Sequence, residues 1–158
     1  MGLDNFPKTY PCLTKGTAVK VCRRDKDGKD IHNEDGTPDL VIDCELTMEA
    51  GGCPWKNAEP PKGAVYGIFG CPCWFRGKYG EALLGEMTMV DEDTTHLTFY
   101  GDNEDETEKS AESCLALADF IKEHITEVSD EEHYDSLVYA EWYLRWAAKE
   151  ADGLACWY

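Results

Sequence analysis

The run EKSAESCLALADFIKEHITEVSDEEHYDSLVYAEWYLRWAAKEADG, residues 108–153, carries two helical periodicities with a short break between them. In its first part Ala111, Cys114, Ala118, Ile121, Ile125 and Val128 recur three or four residues apart. That spacing predicts an amphipathic helix over 108–128. Ser129-Asp-Glu-Glu132 then has the form of a capping box, with Ser129 as N-cap and Glu132 reaching back from the third helical position. The helix it opens is expected to run to Ala151, with Gly153 placed to end it. So short a break folds the two helices into an antiparallel hairpin. The second helix is apolar on two faces: Leu137, Ala140, Leu144, Ala147 and Ala151 form one stripe, and Tyr139, Tyr143 and Trp146, with Trp142 beside them, form another. A helix apolar nearly all round is buried on both sides or used at an interface. The aromatic face of residues 139–146 therefore reads either as core or as the contact of a homo-oligomer.

Upstream of the hairpin the pattern changes from helical to extended. Thr17–Arg23 alternates and is rich in β-branched residues, and Leu40–Leu46, Ala64–Phe69 and Thr94–Tyr100 are further strand candidates. Between the first two lies an Asp-rich stretch with Asp27-Gly28 and Asp35-Gly36, which reads as turns. Residues 77–90 are ambiguous, because Tyr79, Leu83, Met87 and Val90 fall at helical spacing while Gly80 and Gly85 oppose a helix. The expectation is α+β: a small N-terminal antiparallel sheet packed against a C-terminal antiparallel helical hairpin. At 158 residues one domain is expected over 1–158, strand-rich and near-neutral over 1–100, helical and strongly acidic over 101–158.

The charge divides just as sharply. The chain carries a net charge of −17, yet residues 1–78 hold eleven basic and eleven acidic side chains. Residues 79–158 hold twenty-one acidic residues against Lys109, Lys122, Arg145 and Lys149. Such a field repels phosphate backbones and anionic membranes and attracts basic protein surfaces. Direct nucleic-acid binding is therefore not expected, whereas a host protein with a basic surface is, by imitation of a nucleic-acid backbone. A plain solvated face, or adaptation to high salt, explains the same composition. No stretch approaches the length of a transmembrane helix, and the first residues show no basic or apolar signal region, so no membrane span and no secretion signal are expected.

Eight cysteines follow from that compartment as thiols or metal ligands before disulfides. Cys22, Cys114 and Cys156 fall in strand, helix and terminal tail and read as buried. Cys53 in Gly-Gly-Cys-Pro-Trp, and Cys71 and Cys73 in Gly-Cys-Pro-Cys-Trp, sit on turns of the kind that present sulfurs to zinc. Cys44, Cys53, Cys71 and Cys73 are the candidate zinc ligands, with Cys12 the substitute should one of them be core. The paired knuckle spacing of a strong zinc signature is absent, and ordinary reduced thiols or disulfides stand as the alternatives.

Trp74-Phe-Arg-Gly-Lys-Tyr79 places Arg76 and Lys78 between aromatic rings. Cations beside stacking surfaces suit an anionic nucleotide, so Trp74, Arg76, Lys78 and Tyr79 are candidate ligand-binding residues for a protein that sequesters a signalling nucleotide. The same two cations would equally serve to neutralise the acidic helices. Asp25-Lys-Asp-Gly-Lys-Asp30 has acids spaced somewhat as in a calcium loop, but lacks the order of an EF-hand and reads as a hairpin turn. His32, His96, His124 and His133 are scattered with no nucleophile pattern around them, so no catalytic residue is nominated and a small hydrolase is the least favoured class.

The opening Met-Gly-Leu-Asp-Asn and residues 67–80, GIFGCPCWFRGKYG, resemble small acidic proteins carried by bacteriophages. The resemblance implies a viral setting and the cytoplasm of a host cell, where small acidic proteins act as inhibitors of host enzymes or defences. It carries no site residues with it. The function expected is that of a non-catalytic accessory protein that binds and blocks a host component.

Overall fold

The computed structural model describes residues 3–53, 55, 58–61, 73–76, 98–102 and 107–157. The expected strand at 64–69 and the ambiguous segment 77–90 lie outside these residues. The fold is α+β, with a small antiparallel sheet against a helical hairpin. Strand β1 is Asp4–Pro7, helix α1 Pro11–Thr14, strand β2 Lys20–Cys22, strand β3 Leu40–Ile42 and helix α2 Cys44–Glu49. Strand β4 is Glu108–Ser110, helix α3 Ala111–His124, helix α4 Glu131–Glu150 and strand β5 Gly153–Trp157. Among the described residues, no helix is long and apolar enough to cross a membrane.

The main sheet has the order β1-β5-β4, all antiparallel. Its central strand is the C-terminal one, so the sheet is not assembled from the N-terminal half alone. Asp4 pairs with Trp157 and Pro7 with Leu154 on one side, and Lys109 pairs with Leu154 on the other. The tail expected only to be buried is thus the strand on which the sheet is built, and Leu154, Ala155 and Cys156 are all buried. Gly153 opens that strand at φ +115°, where a Cβ would run into the Lys109 carbonyl, so only glycine fits the approach of β4. On the other flank Asn5 and Phe75 exchange backbone hydrogen bonds of 2.7 and 2.8 Å, which covers the outer edge of β1.

The hairpin departs from the sequence reading at its ends. The first helix begins at Ala111 rather than 108, because Glu108–Ser110 pairs with β5 and the Ser110 hydroxyl accepts the Ser113 N–H at 3.1 Å as N-cap. It ends at His124, followed by a 3₁₀ turn over Ile125–Glu127 and an extended Val128. The second helix is capped by Asp130, not Ser129: the Asp130 carboxylate accepts the His133 N–H at 3.1 Å, and its charge also opposes the helix dipole. Both apolar faces of α4 are used inside the chain. Leu137, Ala140, Leu144 and Ala147 pack toward α3, while Tyr139, Tyr143 and Trp146 bury against Phe75 and Trp55. Trp55 meets Trp146 edge-on at 4.8 Å and Trp142 at 5.4 Å. Such geometry adds to the area each ring removes from water.

The N-terminal strands are shorter than read. Only Lys20–Cys22 and Leu40–Ile42 pair, in a two-stranded sheet separate from the main one. The second candidate strand stops at Ile42 because Asp43 caps a helix, its carboxylate accepting the Leu46 N–H at 2.9 Å. Residues 98–100, expected to close a strand, form a bend in which the Thr98 hydroxyl accepts the Tyr100 N–H at 3.0 Å. Residues 94–97 lie outside the described residues.

Candidate functional site

Of the four candidate nucleotide-binding residues, two are described, and both are engaged within the chain. Trp74 stacks on Phe6 with ring centroids 4.8 Å apart and donates its indole N–H to the Tyr10 hydroxyl at 2.8 Å. Arg76 donates from Nε to the Asp4 carboxylate at 3.1 Å, and Asp4 is only 5% exposed. The guanidinium therefore offsets a buried carboxylate on β1 rather than the acidic helices. A buried acid without such a partner would be costly. Lys78 and Tyr79 lie outside the described residues.

The cysteines are brought together more closely than their spacing suggested. Cys12, Cys44, Cys53 and Cys73 line one small cavity of about 20 Å³, walled also by Tyr10, Pro11, Ile42, Thr47 and Trp146. Each comes from a different segment. Pro11 starts α1 and sets Cys12 in its first turn, while Asp43 caps α2 and sets Cys44 at its start. Thr47, buried in α2, accepts the Val19 N–H at 2.9 Å and donates to the Asp43 carbonyl at 2.6 Å. Thr17 donates to the Gly52 carbonyl at 2.6 Å, tying the residue before Cys53 to the turn after Cys12. Tyr143 donates its hydroxyl proton to the Cys73 carbonyl at 2.6 Å, anchoring the fourth cysteine to α4.

The seven described cysteines are thiols. Burial, and then the neighbouring Cys44, push the Cys12 thiol above its ordinary pKa, so these two sulfurs lie near enough to feel each other's charge. Burial also raises Cys156, and pushes Cys114 up to about 12, which marks both as inert core residues. Among the described residues, no three cysteine, histidine or carboxylate side chains close on a single point as a finished metal centre would. Three of the four candidate zinc ligands, Cys44, Cys53 and Cys73, thus share a cavity, and Cys12 joins them. Cys71 lies outside the described residues. The signal for Cys12 was its place beside a proline, in Tyr-Pro-Cys, but its approach to Cys44 is a tertiary fact.

The acidic residues gather at the closed end of the hairpin. Glu123, Glu127, Asp130, Glu131, Glu132 and Asp135 are all exposed, and the last four line an open hollow of about 400 Å³. His124 contacts Glu127 at 2.9 Å and packs beside Phe120. Farther along, Arg145 bonds Glu141 at 2.6 Å and Asp119 at 2.8 Å, and these bonds raise its pKa further. That cation is spent between α3 and α4, away from the acidic tip. Compared with protein-family models, curated proteins and solved structures, the chain matches none.

Proposed function

We propose that this chain is a non-catalytic binding protein that docks the acidic end of its helical hairpin on a basic protein surface. In the viral setting implied by the resemblance of residues 67–80, it acts as an accessory protein that blocks a host component by standing in for nucleic acid. The observation that carries the reading is the concentration of six exposed carboxylates between Glu123 and Asp135. Helix stability accounts for only half of them. Asp130, Glu131 and Glu132 face the positive end of the α4 dipole, where acids stabilise. Glu123 and Glu127 sit at the negative end of α3, where acids are unfavourable, and they add to the mutual repulsion of the cluster. A basic partner relieves that repulsion.

The test is association with a panel of basic bacterial nucleic-acid-binding proteins at graded salt. The comparison is wild type against Glu123→Gln, Glu127→Gln, Glu131→Gln and Asp135→Asn combined, with the Asp130 cap left intact. Association should slow by at least about tenfold in the variant and lose most of its salt dependence, while duplex DNA competes with the wild type. Binding unchanged by the four substitutions would end this reading. Sequestration of an anionic nucleotide at Trp74, Arg76, Lys78 and Tyr79 is less well supported, since the ligand would compete with Asp4 for Arg76. Calorimetric binding of a nucleotide without any protein partner would reverse the order of the two.

A further inference from the structure

We propose that Cys12 and Cys44 are a redox-sensitive dithiol that closes to a disulfide and staples α1 to α2. Both are free thiols in this structure, and both line the same cavity of about 20 Å³. That space is close to one water molecule, so the side chains that wall it stand near one another. Among the described residues no three ligating side chains converge on one point, but a disulfide needs only two. The backbone holds this pair in place from both sides. The Cys12 carbonyl accepts the Thr17 and Ala18 N–H groups at 2.8 and 3.0 Å. Val19, the next residue, accepts the Asp43 N–H at 2.9 Å and donates its own N–H to Thr47 Oγ1 at 2.9 Å. The start of α1 and the start of α2 are thus tied through the one bonded segment 17–19. Cys44 is also the cysteine whose charge acts on the Cys12 thiol.

The oxidant is a low-molecular-weight disulfide of the glutathione type. Cys44 is half-buried and Cys12 only 5% exposed, so the small disulfide reaches Cys44 first. The Cys44 thiolate attacks one of its sulfurs, the small S–S bond breaks and one small thiol leaves. Cys44 then carries a mixed disulfide and no charge. Burial and the charge of Cys44 are what hold the proton on Cys12, so loss of the second makes Cys12 easier to ionise. The Cys12 thiolate attacks the Cys44 sulfur and expels the second small thiol. Two protein thiols and one small disulfide become one protein disulfide and two small thiols. Two electrons pass to the small disulfide, and the two sulfhydryl protons end on its thiols. The bond closes a loop around residues 13–43, none of whose side chains is buried. A segment with so little packing gains order from the closure, because the bond removes unfolded conformations that packing does not. The pair is open where small thiols are in excess and closed where small disulfides accumulate.

The test is incubation of the folded whole chain with oxidised glutathione at about pH 8, then non-reducing digestion and peptide mass mapping. The expected product is a monomer with a Cys12–Cys44 bond, while Cys22, outside the cavity, stops at a mixed disulfide. Cys12→Ser should stop at a mixed disulfide on Cys44, and Cys44→Ser should leave Cys12 unmodified. The wild-type map decides the matter even where a variant fails to fold. Closure should also raise the urea midpoint by about 1 M or more, and dithiothreitol should reverse the rise. Thiols or mixed disulfides persisting at both positions, or a bond from Cys12 to Cys53 or Cys73, would overturn the proposal. So would a bond formed only between chains, or a midpoint that closure leaves unchanged.

Discussion

Residues 13–46 and residues 107–157 are built on different physics. In the first, every side chain is exposed or half-buried, and order comes from local polar bonds. Asp25 accepts the N–H groups of Asp27 and Lys29 at 2.8 and 2.9 Å, and Asp35 accepts from Thr37. In the second, Cys114, Leu117, Ala118, Ile121, Leu137, Ala140, Tyr143 and Leu144 are wholly buried, and the strand that follows them is the centre of the main sheet. Hydrogen bonds exposed to water add little net stability, whereas each large apolar side chain removed from water adds roughly 1.5–3 kcal/mol. The difference teaches that one chain can separate its stability from much of its length. The well-packed helices also carry the charge, so the acidic tip stands at the end of a hairpin whose inner faces are wholly buried. A surface that must hold several like charges in one place benefits from such support.

The largest expected effect comes from a tryptophan that reaches from the first half into the second. Trp55 is 5% exposed and meets Trp142, Tyr143 and Trp146. Trp55→Ala should lower stability by about 3–5 kcal/mol in urea unfolding, since it leaves a ring-sized void. A loss below about 1 kcal/mol would mean that the aromatic cluster does not join the halves.

The next effect is electrostatic. Lys109, 2% exposed, has Asp102 Oδ1 at 3.5 Å, a contact of charge rather than a good hydrogen bond. Burial works against the ionised Asp102, but bonds from Ser110 and Ser113 and the charge of Lys109 outweigh it, and its pKa falls below the ordinary value. A carboxylate lowered on folding adds stability above its unfolded pKa of about 3.9 and loses it as pH falls through the lower folded value. Asp102→Asn should therefore cost about 3 kcal/mol at pH 7, because it strands a buried ammonium, and should flatten the acid limb of the stability curve below pH about 4. An unchanged acid limb would show that Asp102 does not hold Lys109.

The smallest effect belongs to the other region. Leu40 is 51% exposed on β3, and Leu40→Ala should change stability by no more than about 0.5 kcal/mol. A loss several times larger would show that the β2–β3 sheet packs on something after all.

How much of this was legible follows the same division. The helical hairpin could be read because its periodicity is local: each buried residue announces the next three or four positions on. Strand β5 could not, because Gly-Leu-Ala-Cys-Trp shows no alternation and its partners at Asp4–Pro7 and Glu108–Ser110 are remote in sequence. β4 was absorbed into the helix pattern because Lys109, a buried lysine, reads as an exposed one. Asp43 broke a strand that Leu40–Ile42 had begun, through a side-chain cap that apolar patterning does not register. At the candidate sites, turn chemistry marked Cys53 and Cys73, while Cys44 read as part of a strand, and nothing in the spacing tells Cys12 that it lies beside Cys44. The pairing of Arg76 with Asp4 was equally hidden, since it joins residues from opposite ends of the N-terminal half.

The unequal stability of the two regions is most directly tested by native-state hydrogen exchange resolved along the chain. The amides within 111–124, 131–150 and 154–156 should exchange only through global unfolding. The bonded amides of Arg23, Ile31 and Asp39, which donate to carbonyls at 2.7, 2.8 and 2.9 Å, should be at least about tenfold less protected, opening on their own. Equal protection in both regions, lost together as denaturant rises, would contradict the account.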